Sequence, residues 1–204
     1  MATTKEIMNW EKYAEKYQAL VDYGIQTGRV RAYDDSLLQK MRKVSYNGFP
    51  VSAVLLCPEL CQGYCYQSVL LLAKALKDSK FRVVTADVDM LALNPVYLDK
   101  YRGMDDVPWA NHCFLEETTP EGIVWVYDTS MGLIFEKNLY YEIQNPQIFT
   151  INEQEDFTEE YDFKEYAMPI SLEILESMAI ASENLYTAAL LSEIDYIKST
   201  KSFK

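Results

Sequence analysis

The sequence is poor in the residues that mark several large classes of protein. Its 204 residues include only seven glycines and seven prolines, which excludes collagen and low-complexity arrays. Four cysteines, at positions 57, 61, 65 and 113, are too few and too clustered for a disulfide-stapled secreted scaffold, so we interpret them as thiols. No stretch approaches the roughly 18 consecutive apolar residues that span a bilayer. The N-terminus also opens without an apolar signal core, so we expect a cytoplasmic protein.

Positive charge and histidine are also scarce. The chain has 19 Lys and Arg against 31 Asp and Glu, a net charge of −12, which repels phosphate backbones and anionic lipid surfaces. We therefore expect no nucleic-acid and no membrane partner, and the excess of acid favours a basic partner. His112 is the one histidine in the chain, so any mechanism that needs an imidazole must use it.

What is present indicates one ordinary α+β domain over residues 1–204. Apolar residues make up 49% of the chain, enough for one sizeable core. We place the chemistry-bearing part at about residues 50–145, between helical flanks at 1–48 and 165–200. Helical spacing and capping residues predict three helical regions: one after the Thr-Thr-Lys-Glu capping box at 3–6 and ending near Gly24, one from Asp34 or Asp35 to before Asn47, and one within 172–197.

Strand signals cluster in the middle of the chain. Residues 81–88 are rich in β-branched side chains, and a connection over 89–108 follows them. Three further short runs, separated by turn residues at 119–122 and 129–132, are typical of an antiparallel meander; they are 111–116, 123–127 and 133–135. The acidic stretch 153–165 is interpreted as a solvated loop, with a partner-binding surface as the alternative.

The segment 66–76 is the most apolar helix candidate in the sequence. It is apolar on nearly every side, which a helix tolerates only when protein surrounds it. Cys65 therefore lies at the start of a central buried helix. The unpaired amides and the dipole at a helix N-terminus favour a thiolate over a thiol, so Cys65 is positioned for activation.

His112 and Asp128 lie 16 residues apart, on either side of the turn at 119–122. Two antiparallel strands joined by that turn would bring the carboxylate beside the imidazole. Together with Cys65 this gives a nucleophile, a base and a group that orients the base, the arrangement used for acyl transfer through a thioester.

These residues carry a family resemblance. The segments are Gly63-Tyr-Cys65-Tyr-Gln-Ser-Val, Asn111-His112-Cys-Phe-Leu-Glu116 and Val124-Trp-Val-Tyr-Asp128-Thr. In this order they resemble the transglutaminase-like superfamily, over about residues 60–130, roughly a third of the chain. The resemblance implies a papain-like fold, in which a central buried helix packs on a small antiparallel sheet with helices flanking it at both ends.

The resemblance also implies a function. Cys65 would be the nucleophile, His112 the general base and then acid, and Asp128 the group that orients the imidazole. The activity would be that of a peptidase, amidase, deamidase or transglutaminase, acting on a peptide, a protein or an amide-containing small molecule without a cofactor. Candidates for the oxyanion site and the cleft walls are Gln62, the backbone amide of Cys65, Tyr64 and Trp109.

Two other classes of function stay open from the sequence. The same fold could be a catalytically silent protein-interaction module. Alternatively, a zinc site could use the thiols spaced by four residues together with the His-Cys pair, namely Cys57, Cys61, Cys65, His112 and Cys113. Pro58 and Gly63 argue against the single helix that would align the first three thiols. A reversible disulfide between Cys61 and Cys65 is a further alternative.

Overall fold

The computed structural model describes residues 10–89, 109–154, 167–181 and 185–201. The predicted capping box at 3–6, nearly all of the connection 89–108 and most of the acidic stretch 153–165 lie outside these ranges. None of the helices in these ranges combines the length and apolarity required to cross a bilayer.

Helices occur before, between and after the strands, and the described residues form eight of them. In chain order they are α1 (Trp10–Gln26), α2 (Asp35–Arg42), α3 (Val51–Leu55), α4 (Pro58–Cys61), α5 (Cys65–Ala75), α6 (Lys137–Gln144), α7 (Leu172–Ala181) and α8 (Thr187–Lys201).

Six strands of the described chain form one antiparallel sheet in the order β1-β7-β6-β5-β4-β8, and two more form a small hairpin, β2 with β3. The predicted α+β class is therefore confirmed, as is the antiparallel meander, which is β5 to β7. The strands are β1 (Val30–Arg31), β2 (Ser45–Tyr46), β3 (Phe49–Pro50), β4 (Phe81–Asp89), β5 (Trp109–Thr118), β6 (Val124–Asp128), β7 (Leu133–Glu136) and β8 (Gln147–Glu153).

The large sheet has an apolar core on each face, because successive side chains of a strand point to opposite sides. On β5, Leu115 belongs to the core that contains α5 and the two C-terminal helices, whereas Phe114 belongs to the core with α1 and α6. Both side chains are fully buried. The sheet is thus a middle layer between helices, and the strands that carry His112 and Asp128 lie inside it.

Helix α5 forms as the sequence predicts, one residue earlier than the apolar segment 66–76. Six consecutive residues, Ser68 to Ala73, are buried, so the helix is surrounded by protein. Lys74 lies in its last turn, and the helix contacts β5 of the sheet. Cys65 is the first residue of α5, as expected.

Helix α1 ends near Gly24, as predicted, although not at the glycine itself. It continues past Gly24 to Gln26, so this glycine does not end the helix. A Cβ atom at Gly24 would lie 2.4 Å from Cγ2 of Val30 and 2.7 Å from Cδ2 of Leu139. The missing side chain allows close packing rather than a turn; the backbone instead reverses at Gly28, whose φ is +72°.

Helix α2 begins as predicted, since the carboxylate of Asp34 accepts the backbone N–H of Leu37 at 2.8 Å. It ends at Arg42, several residues before Asn47. The longer elements without a prediction are α6 and β8, and the short elements β1, β2, β3, α3 and α4 had none either. The helical pattern within 172–197 belongs to two helices rather than one continuous element.

The C-terminal helices fasten the turn that follows Asp128. The hydroxyl of Tyr186 donates to the carbonyl oxygen of Gly132 and accepts the backbone N–H of Tyr33 at 2.9 Å. The two tyrosine rings stack with centroids 5.3 Å apart. Farther along, Arg42 of α2 pairs with the buried Glu193 of α8 at 2.6 Å. These contacts hold the β6–β7 turn, and with it one end of the candidate site, against the main core.

Candidate active site

Cys65 is exposed to solvent in part, at the point where the chain turns into the buried helix. Helix α4 ends at Cys61, and Gly63 then adopts a left-handed backbone with φ of +80°, which a residue without Cβ reaches at no steric cost. Tyr64 is the residue before the helix and forms no side-chain cap. The first amides of α5 are therefore not occupied by a capping side chain beside the thiol of Cys65.

His112 and Asp128 lie on neighbouring strands. His112 pairs with Ala86 of β4, and β6 joins β5 only from the Leu115–Tyr127 pair onward. Asp128 is the last residue of β6, where the chain leaves the sheet. Both side chains are buried, with His112 2% exposed and Asp128 fully enclosed. The predicted juxtaposition across the turn at 119–122 is confirmed.

The imidazole is held between the carboxylate and the thiol. Nε2 of His112 lies 2.9 Å from Oδ2 of Asp128. Because an ionised carboxylate only accepts, Nε2 is the donor of this bond. Cys65 and His112 lie close enough that each shifts the pKa of the other, and Nδ1, the ring nitrogen that does not bond Asp128, is the one left for the thiol.

Asp128 is fixed by three donors besides His112. Its Oδ1 accepts the backbone N–H groups of Ser130 at 3.0 Å and Met131 at 3.1 Å. Its Oδ2 accepts the hydroxyl of Tyr140 at 2.8 Å, so this oxygen serves His112 and Tyr140 together. Four hydrogen bonds on two oxygens leave the carboxylate little freedom to rotate.

The electrostatics of the three groups favour a thiolate and an imidazolium. Burial alone would raise the pKa of Cys65, but the hydrogen bond from His112, its charge and the Cys113 amide together lower that pKa below the usual value. Burial opposes a charged His112, yet the charge of Asp128 and the bonds to Asp128 and Cys65 raise its pKa to about 10. Burial likewise opposes the charge of Asp128, and His112, Tyr140 and Met131 outweigh it, so the pKa of this carboxyl is lowered.

The pKa values of the other three cysteines are raised, not lowered. Burial raises the pKa of Cys57 to about 12, and it raises the pKa values of Cys61 and Cys113 further above the usual range. All three thiols are buried and free. Cys65 is thus the one cysteine of the four whose surroundings favour the reactive anion.

A set of hydroxyl groups joins the start of α5 to the segment after Asp128. Oγ of Ser68 lies 2.6 Å from Oγ1 of Thr129 and donates to the carbonyl oxygen of Cys65 at 3.0 Å. Oγ of Ser130 donates to the carbonyl oxygen of Cys61 at 3.3 Å. These bonds fix the backbone of Cys65 relative to Asp128. We did not predict them, although the two hydroxyl residues directly after Asp128 were a usable signal.

The predicted oxyanion and cleft residues lie close in sequence to Cys65 or to His112. Gln62 is partly buried in the turn between α4 and α5. Tyr64 is partly buried and packs against the main core. Trp109 begins β5 and pairs with Asp89, but its side chain lies outside the described part of the molecule.

The described part of the chain offers no ligand set for the zinc site that the sequence left open. In these residues no three His, Cys, Asp or Glu side chains are placed to hold a metal ion. The three thiols of that alternative do not share a helix. Cys57 precedes α4, Cys61 ends it, and Cys65 begins α5. The turn at Pro58 and the left-handed Gly63 separate them, for the reasons the sequence suggested.

Comparison with known proteins adds no relative to this picture. A scan against protein-family models, a search of curated proteins and a search of solved structures each found no match for this chain.

Proposed function

We propose that this protein is a cysteine-dependent acyl-transfer or amide-hydrolysing enzyme of transglutaminase-like, papain-like type. Cys65 is the nucleophile, His112 the general base and acid, and Asp128 the group that orients the imidazole. The observation that carries the proposal is the hydrogen bond between His112 and Asp128 beside Cys65, whose thiol lies at a helix N-terminus and whose pKa is lowered by His112. Three reactive groups in one series, in the order the chemistry requires, are difficult to explain by packing alone.

The first half of the reaction forms a thioester. The Cys65 thiolate attacks the carbonyl carbon of a carboxamide, and the C–N bond of the resulting tetrahedral species then breaks. The leaving amine takes the proton that His112 holds on Nδ1, so the imidazole becomes neutral as the amine departs. Asp128 keeps Nε2 as the donor throughout, which leaves Nδ1 as the atom that exchanges protons with substrate.

The second half releases the acyl group. Water or an amine attacks the thioester carbon while Nδ1 of His112 accepts its proton, and the C–S bond breaks to return the Cys65 thiolate with a protonated His112. Water gives hydrolysis, or deamidation when the acyl group is a glutamine side chain, and an amine gives a new amide. One set of residues therefore serves every activity named above.

Charge on the tetrahedral oxygen needs donors close to Cys65. The backbone amide of Cys65 is suited to donate to this oxygen, since it belongs to the first turn of a helix that no side chain caps. Gln62 is the second candidate, because it lies in the turn immediately before that helix. For the acyl donor we propose a peptide, a protein or an amide-containing small molecule, with a basic partner favoured by the net charge of −12.

The experiment that tests the function uses p-nitrophenyl acetate, an activated ester that acylates nucleophilic thiols. We expect a burst of nitrophenolate and acetylation of the peptide that contains Cys65, followed by slow hydrolysis. The Cys65→Ala variant should lose the burst, and His112→Gln should slow it by about 100-fold or more, the usual contribution of a general base.

The buried thiols are internal controls in this experiment. Acetylation spread equally over the four cysteines, or acetylation of Cys65 at the same rate without His112, would contradict the proposal. In that case the protein-interaction module becomes the better interpretation of the fold.

A further inference from the structure

Tyr140 is a buried tyrosine whose hydroxyl reaches the candidate site from the far core. It lies in α6, and its ring packs against Phe114 at a centroid distance of 4.9 Å and against Phe135 at 5.3 Å. The side chain is completely enclosed. Its hydroxyl donates to Oδ2 of Asp128 at 2.8 Å, the same oxygen that holds Nε2 of His112.

This hydroxyl is a permanent donor. Burial, and next the charge of Asp128, raise the pKa of Tyr140 well above its usual value, so the phenol stays neutral. An aromatic core would bury a phenylalanine at this position equally well, whereas a tyrosine must find a partner for its hydroxyl. That partner is the carboxylate which determines how His112 behaves.

We propose that Tyr140 is a positioning residue for the acyl-transfer reaction: its hydroxyl fixes Oδ2 of Asp128 and limits how strongly that oxygen holds the proton of His112. The inference rests on the proposed function. Two bonds share the charge of one oxygen, and the positive end of the Tyr140 O–H dipole lies beside the imidazolium. Both effects weaken the attraction between Asp128 and a protonated His112.

The consequence concerns proton transfer. His112 has to give its proton to the leaving amine and accept one from the incoming nucleophile, so an imidazolium held too tightly is a poor acid and its neutral form is too rare to act as a base. Burial opposes the charged imidazole while Asp128 and Cys65 support it. The hydroxyl of Tyr140 is a second group, besides burial, that disfavours the protonated form of His112, and its effect does not depend on solvent.

The test measures the pKa of His112 by NMR of its imidazole, in full-length protein carrying Cys65→Ala. This background removes the contribution of the thiolate and resembles the acyl-enzyme, in which the sulfur is uncharged. His112 is the one histidine, so the signal is unambiguous. Tyr140→Phe keeps the ring and removes only the hydroxyl, and we expect it to raise the pKa of His112 by about 0.5 to 1 unit.

Tyr141→Phe is the matched control. Its hydroxyl donates to Glu116 at 2.6 Å rather than to Asp128, so we expect the pKa of His112 to stay within about 0.2 units. A second variant covers the case in which Tyr140→Phe does not fold: 3-fluorotyrosine at position 140 keeps the hydroxyl and makes it a stronger donor, so the pKa of His112 should fall. No change in either Tyr140 variant, or an equal change in Tyr141→Phe, would overturn the inference.

A kinetic measurement connects the shift to the reaction. With Cys65 present, the pH profile for hydrolysis of the acetyl-enzyme should move to higher pH in Tyr140→Phe by the shift seen in NMR. A profile that stays in place while the NMR value moves would contradict the positioning role. The proposed function has its own test in the acetylation of the unmodified protein, so a failure of either idea can be recognised separately.

Discussion

Asp128 carries more hydrogen bonds than any other side chain of the candidate site. Two backbone amides, a phenol and an imidazole all donate to its carboxylate, and none of its surface is exposed. An ionised carboxylate buried without partners would be strongly unfavourable, so these donors are what allow the charge to persist. The charge in turn keeps His112 protonated and oriented, and through His112 it favours the thiolate of Cys65.

The raised pKa of His112 predicts a specific pH dependence of stability. Its folded pKa of about 10 lies above the unfolded value of about 6.5, so the folded state binds the proton more tightly. The resulting stabilisation is fully present below about pH 6.5 and is lost as the pH rises to about 10. Urea unfolding at several pH values, in the Cys65→Ala variant so that the thiol makes no opposing contribution, should therefore show a stability that declines as the pH rises above about 6.5. Adding His112→Gln should remove this component.

The contribution of Asp128 to stability depends on pH in the opposite direction. The pKa of Asp128 is lowered in the folded state, so its contribution is present above its unfolded value and is lost as the pH falls through the lower folded value. In the Cys65→Ala background, an unfolding free energy that rises, relative to the same protein carrying His112→Gln, between neutral pH and about pH 10 would contradict the ion pair of His112 and Asp128.

The juxtaposition of the three candidate residues was predictable from sequence because each has a distinctive type or position. Cys65 begins the most apolar segment, and His112 is unique in the chain. Tyr140 was not predictable. It is one of 16 tyrosines, its partner Asp128 is 12 residues away on the other side of a turn and strand β7, and no local pattern separates it from a packing residue.

Two glycines in the turns around the site differ in their surroundings and give a matched pair. Gly63, before α5, and Gly132, after β6, both have positive φ, of +80° and +66°. A Cβ at Gly63 would meet nothing within 4 Å, whereas one at Gly132 would lie 2.5 Å from Cγ of Pro58 and 3.1 Å from Cε2 of Tyr186. Replacement by alanine therefore adds backbone strain at both positions and a steric clash only at Gly132.

We expect Gly63→Ala to cost about 1 to 2 kcal/mol of unfolding free energy, the strain of a left-handed residue with Cβ. Gly132→Ala should cost about 1 to 3 kcal/mol more, because Pro58 belongs to a packed core that must move. Chemical denaturation of both variants measures the difference. Equal losses would show that the β6–β7 turn is not packed against α4 as described.

Among the helices and strands, the predictable elements are those whose pattern follows from burial. Helix α5 is apolar throughout because it is enclosed, and β4 is rich in β-branched residues because it is an interior strand, paired on both sides. Strand β8 was missed since it is an edge strand whose residues are mostly exposed, so it shows no alternation of apolar and polar side chains. Gly24 indicated approximately where α1 ends, but it lies inside the helix, because close packing selects glycine as helix termination does.

The candidate site lies between the two apolar cores on opposite faces of the large sheet. Cys65 packs beside the core of α5, whereas Tyr140, which holds Asp128, belongs to the core of α1 and α6. The C-terminal helix α8 reaches back to α2 through Arg42 and Glu193. Such pairings across 151 residues of sequence depend on three-dimensional packing, which explains why the α+β class was predictable and the arrangement of the flanking helices was not.

The reactivity of the four thiols tests the central claim of an activated Cys65 most directly. The measurement is the rate of alkylation of each cysteine by iodoacetamide as a function of pH, followed by peptide mass spectrometry, in the unmodified protein and in His112→Gln. We predict that Cys65 alone reacts rapidly, with a half-maximal rate at a lower pH than for an ordinary thiol, and that His112→Gln moves this midpoint upward. Alkylation of Cys65 no faster than that of the buried Cys57 and Cys61, or a midpoint that does not depend on His112, would contradict the account.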